Sequence, residues 1–155
     1  MIKVNSFLAG AIIYPAIYFI VAITVFVILP LTVNAHEIEM LNKRDDGAKM
    51  VYSEDIARVD VGTTVTWLPK SKGHNVQFML GPDGWELPKK SKNNKEFSIT
   101  FDVPGVYLYQ CTPHASMGMI ALVVVGDDIS NLSAIEQFKA RGKSKKKLKK
   151  LLGEI

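Results

Sequence analysis

Between residues 36 and 125 the chain is a series of short apolar-patterned runs, each closed by a turn residue. Glu37, Ile38, Glu39, Met40 and Leu41 step between polar and apolar, as do residues 58–61, which end at Gly62. Residues 63–68 are β-branched and aromatic and stop at Pro69, and residues 75–80 run into Gly81, Pro82, Asp83 and Gly84, a turn by composition. In 96–101 the apolar face is Phe97, Ile99 and Phe101. Residues 106–110 follow Pro104 and Gly105, and 119–125 form a nearly continuous apolar strand closed by Gly126. Short strands at this spacing predict an antiparallel β-sandwich. After Gly126 the period lengthens. Asp127, Asp128, Ser130 and Asn131 offer helix caps, and Leu132, Ile135 and Phe138 share a helical face. Gly142 interrupts that helix, and a second over 144–152 sets Leu148, Leu151 and Leu152 on one side with lysines around the rest.

A different pattern precedes the strands. Phe7 to Val33 are 27 residues without a charge, more than the ~20 that span a bilayer. Lys3 lies before the run, Pro30 breaks it, and Val33, Asn34 and Ala35 are small or aliphatic where a signal peptidase requires it. Residues 1–35 are expected to be a signal peptide cleaved after Ala35, or an N-terminal membrane anchor through residues 7–33. In either case the cation before the apolar run keeps the N-terminus inside and exports the rest, with the periplasm the expected location. The exported part divides into a sandwich over 36–127 and a helical, lysine-rich extension over 128–155.

Charge is divided along the same line. The 155 residues carry a formal net charge of +4, but residues 36–138 hold 10 Lys/Arg against 14 Asp/Glu, and residues 139–155 hold 8 against 1. The basic character belongs to a tail and does not mark a nucleic-acid binder. There is 1 cysteine, Cys111, which excludes an intrachain disulfide, a four-cysteine zinc site and a CxxC redox pair.

That cysteine opens the informative segment: Cys111, Thr112, Pro113, His114, Ala115, Ser116, Met117, Gly118, Met119. It falls in the turn between two apolar strands, where a sandwich exposes a loop. A thiolate, an imidazole three residues on and thioethers beyond it form a soft donor set that suits copper better than a hard cation. His74 supplies a second imidazole at the start of an earlier strand. Two His, one Cys and a distant Met compose the blue-copper arrangement. Taken singly, each has a plainer role: Cys111 as a small buried hydrophobe, either His as a surface group, Met117 and Met119 as core filler. Their coincidence at strand ends favours the metal. His36 lacks partners nearby in sequence and is read as structural.

The segment Cys111–Met119 resembles the ligand loop of cupredoxins, in particular of the pseudoazurin subgroup. Further similarity lies in Met40 to Lys43, Lys72 to Val76, Pro104 to Tyr107 and Val125 to Asp127, and in the paired C-terminal helices. The lysine run of the last helix departs from that pattern. The resemblance implies a cupredoxin-like antiparallel Greek-key sandwich holding one type 1 copper ion through His74, Cys111, His114 and Met119. Met119 is preferred to Met117 because it is the family's second methionine and because it opens a strand, whereas Met117 lies in the turn.

Such a protein is a one-electron carrier, not an enzyme, since four protein ligands leave no open coordination position. Reading Cys111 and His114 as nucleophile and base would leave His74 and Met119 without a role. The backbone amide of Asn75 is a candidate donor to the sulfur. The resemblance implies that electrons leave through the exposed edge of His114, which Pro113, Ala115, Met117 and Gly118 would ring. Lys43, Lys70, Lys72, Lys89, Lys90, Lys92 and Lys95 would form a cationic rim that steers an acidic partner. The resemblance implies nitrite reductase, nitrous-oxide reductase or a c-type cytochrome as partners; a monomer is expected. The alternative is a module for copper storage, delivery or sensing. The tail lysines 143–150 are read as the solvated face of an amphipathic helix, with contact to anionic lipid or an acidic partner as the other reading.

Overall fold

The computed structural model describes residues 34–155. Its strands are β1 (Ala35–Lys43), β2 (Lys49–Tyr52), β3 (Ile56–Val59), β4 (Thr63–Leu68), β5 (Gln77–Leu80), β6 (Phe97–Phe101), β7 (Gly105–Gln110) and β8 (Ile120–Val125). They form two four-stranded sheets, ordered β2-β1-β4-β6 and β3-β8-β7-β5. Two short helices follow, α1 (Leu132–Glu136) and α2 (Lys143–Leu152). The mainly β sandwich with two C-terminal helices is thus as expected. The expected leader or anchor lies outside the described residues, and among the described ones no helix is long and apolar enough to cross a membrane.

The strands are not all antiparallel. β1 runs parallel to β4, with Ile38 opposite Trp67, and β3 runs parallel to β8, with Ala57 opposite Val123. In both cases the chain visits other strands before pairing, which a parallel neighbour requires. Alternation within a strand fixes its inner face but says nothing of which strand lies beside it.

The alternating strands point one face inward. In β4, Thr63, Val65 and Trp67 are buried while Thr64, Thr66 and Leu68 are only partly covered. Trp67 meets Phe78 edge-on with ring centroids 5.5 Å apart, and Tyr109 at 5.2 Å, filling the space between the sheets. β8 behaves differently, because all of its residues are buried. Ala121, Val123 and Val125 face the inter-sheet core, whereas Ile120, Leu122 and Val124 face outward with Val106 and Leu108. Ile135, Leu148 and Leu151 of the helices cover that outer face. A strand covered on both faces reads as a continuous apolar run. Burying each of those leucines contributes about 1.5–3 kcal/mol, so residues 128–155 complete the second sheet's packing. Asn131 stands at the N-cap of α1 but makes no side-chain cap hydrogen bond. Its amide instead accepts from the Val106 N–H at 2.8 Å and donates to the Val106 carbonyl at 2.7 Å.

Candidate metal centre

Two loops at one end of the sandwich carry the donor groups. The first leads from β4 into β5. Gly73 takes φ 95°, which a side chain would strain, and so turns the chain to aim His74 inward. His74 therefore lies in the loop before β5, not at the start of a strand. The second loop joins β7 to β8 through a 3₁₀ turn, Thr112–Met117. Pro113 sits in its first turn, where a missing N–H costs nothing, and Gly118 ends it at φ 106°. The Cys111 N–H donates to the Met119 carbonyl at 3.0 Å, and the Met119 N–H donates to the His114 carbonyl at 3.3 Å. These bonds fold the nine-residue segment back on itself.

Cys111 and His74 have no exposed surface, and His114 is partly exposed. The Cys111 Sγ lies 3.7 Å from His74 Nδ1 and 3.5 Å from His114 Nδ1, and the two nitrogens are 3.1 Å apart. A triangle with those sides has a centre about 2.0 Å from every corner, within the ~2.0–2.3 Å that nitrogen and sulfur keep from a first-row divalent ion. The three donors thus fit around one small metal ion. Met119 is fully buried in the same apolar cluster as Cys111, whereas Met117 is 48% exposed.

The surroundings set the protonation states the donors need. His74 Nε2 lies 2.8 Å from Asn42 Oδ1, an acceptor, so the ring proton sits on Nε2 and the Nδ1 lone pair faces the site. Burial holds His74 below its ordinary value of 6.5, and the neighbouring His114 adds to the effect, so the imidazole is kept neutral. Burial pushes the Cys111 thiol up, opposed by the backbone amides of Asn75 and His114, which hydrogen-bond the sulfur. The Asn75 amide is therefore the sulfur donor expected from its place in the chain.

The Asn75 side chain does more than the sequence indicated. Its Oδ1 accepts from the Thr112 N–H at 2.8 Å, and its Nδ2 donates to Asn93 at 2.9 Å. It thereby ties the His74 loop to the Cys111 loop. Tyr52 donates to the Asn75 carbonyl at 2.9 Å from inside the core. Asn42 lies in a run that resembles the family, yet no spacing rule gives it a task. Of the apolar ring expected round His114, Pro113 and Met117 are exposed and Ala115 partly so, but Gly118 is buried. A Cβ on Gly118 would sit 3.6 Å from that of Lys143, so α2 covers this side of the loop. His36, read as structural, pairs with Glu54 at 3.1 Å, away from these donors.

A sandwich of this order, with two imidazoles, one thiolate and a buried methionine at its end, is a cupredoxin with a type 1 copper-like site. Residues 38–126 match the copper binding proteins of the plastocyanin/azurin family. The chain is 43% identical over 123 residues to a pseudoazurin-like protein of Rhizobium leguminosarum bv. viciae, covering 77% of this chain and 79% of the other. It is 38% identical over 122 residues to the pseudoazurin of Paracoccus pantotrophus, covering 77% and 83%. The solved structure of a Sinorhizobium pseudoazurin superposes with a TM-score of 0.74 at 44% identity, over 78% of this chain and 95% of that one. The chain belongs to the plastocyanin/azurin family of copper-binding proteins, and its similarity to pseudoazurins extends over more than three quarters of its length.

Proposed function

We propose that His74, Cys111, His114 and Met119 hold one copper ion and that the protein is a periplasmic one-electron carrier. The observation that carries this reading is the triangle of two Nδ1 atoms and one Sγ, with sides of 3.1, 3.5 and 3.7 Å. Copper bound there supplies a one-electron couple between its two oxidation states. The protein's part is to keep the donors in one arrangement in both states. Neither sheet can move without unpacking the aromatic core, and Asn75 locks the two loops together. Asn42 fixes the His74 ring, and two amides accommodate charge on the sulfur.

His114 connects the site to the outside. It is the donor with exposed surface, and Pro113 and Met117 beside it offer a small apolar area for brief docking. All seven lysines of the expected rim are exposed; Lys70 is 3.5 Å from Glu39, which offsets part of its charge. The others steer an acidic redox partner toward this end, in keeping with the nitrogen-oxide reductases and c-type cytochromes that the resemblance implies. Burial of Cys111, His74 and Met119 favours a retained ion over cargo awaiting release. Stepwise reduction of the copper-loaded protein tests this. The colour should bleach with one electron per protein and return on reoxidation, cycle after cycle, with copper retained. Loss of Cu(I) to a chelator at each reduction would support storage or delivery instead.

A further inference from the structure

The first turn of α2 presses on the loop between two of the ligands. Ser144, 1% exposed, donates its hydroxyl hydrogen to the Ala115 carbonyl. Gly142, at the helix N-cap, takes φ 54° and ψ −132°, and a Cβ there would collide with the Ser116 carbonyl oxygen. With Lys143 lying over Gly118, α2 touches three of the four residues that separate His114 from Met119.

The helix cannot follow the loop if the loop moves. Leu148 and Leu151 are buried against Val106, Leu108, Ile120 and Leu122 of the outer sheet face. Lys147 Nζ lies 2.7 Å from Asp55 Oδ1, and the same carboxylate holds Arg44 at 3.2 Å. The loop itself is not rigid by conformation alone, because His114, at φ −116° and ψ 16°, breaks the helical turn. A kinked loop is thus braced by a helix anchored elsewhere.

We propose that α2 is a positioning clamp for the copper ligands, in which the Ser144 hydroxyl and the bare backbone of Gly142 fix residues 115–118 and through them His114 and Met119. The inference rests on the four-ligand copper reading. Among the described residues, Ser144 makes no hydrogen bond to a ligand side chain. It acts through the Ala115 carbonyl, so it is a positioning residue that limits how far the ligands shift when the oxidation state changes.

The test uses the copper-loaded full chain and three variants: Ser144→Ala, Gly142→Ala and Ile135→Val. Reduction potential, visible spectrum, rate of Cu(I) removal by bicinchoninate and melting temperature are read for each. Ser144→Ala and Gly142→Ala should shift the potential and the spectrum, and speed copper removal about five- to tenfold, the loss expected for one hydrogen bond holding a ligand loop. Ile135→Val, on α1 and outside the clamp, should lower the melting temperature and leave the potential and spectrum alone. A Ser144→Ala protein with wild-type potential, spectrum and removal rate overturns the clamp, whatever Gly142→Ala does. A wild-type protein without the blue colour would instead defeat the copper reading itself.

Discussion

His74 is tightly constrained in the site, because burial and two neighbours decide its charge and tautomer. Burial and His114 hold it below its ordinary 6.5, and Asn42 fixes its tautomer. Its folded value lies below its unfolded one, so the stability it contributes is present above pH 6.5 and is lost as pH falls through the folded value. Cys111 has the opposite sign. Its thiol is raised above 9.0, so its contribution is lost as pH climbs through the folded value. The copper-free protein should therefore melt at lower temperature below pH 6.5 and again in alkali, and His74→Gln should flatten the acid limb. A profile unchanged by that substitution would remove His74 as the cause. Asn42→Ala should weaken copper binding ~10–100-fold, the usual cost of removing a group that orients a metal-bound histidine. Isothermal competition with a chelator measures it, and wild-type affinity would show that the Nε2 contact is idle. The four residues proposed as ligands were legible in the sequence because thiolate, imidazole and thioether are scarce and here crowd into nine residues plus His74. Asn42 was not, since an asparagine acquires its role only when the fold brings it across 32 positions.

Among the elements, those whose pattern is imposed by burial were the readable ones. β4 was found by its β-branched and aromatic run, β6 by alternation and β8 by its unbroken apolar run, at nearly their observed limits. β2 was not, as its four residues pair two buried positions with a Met50 at φ 51°, a backbone departure no period reveals. β3 lies two residues earlier than 58–61 indicated, because its register is set by pairing with β8 and not by its own alternation. The lysine helix also proved to have a role beyond solvation. Burial alone would raise the Asp55 carboxyl, but Lys147 and Arg44 outweigh it and hold it below the ordinary range. Cutting this link by Asp55→Ala leaves two cations facing each other over a partly buried spot. It should cost about 1–3 kcal/mol, read as a lower urea midpoint with unchanged slope. A midpoint equal to wild type would mean that α2 is held by its leucines alone.

The whole molecule separates packing from chemistry. Among the described residues, one sheet is covered on a single face and the other on both, and the donors sit in two loops at one end of the sandwich. That arrangement gives a rigid frame with one partly exposed donor, His114, which is what rapid electron exchange with a transient partner requires. Residues 36–138 are acidic in total, yet the seven lysines proposed to steer a partner are all exposed. On the proposed reading, Cys111 bonds copper as a thiolate beside His74, His114 and Met119. The visible spectrum of the purified protein after addition of Cu(II), recorded beside that of Cys111→Ala, tests it most directly. An intense thiolate-to-copper charge-transfer band in the first and none in the second is the predicted result. A folded, copper-bound wild-type protein without that band would contradict it.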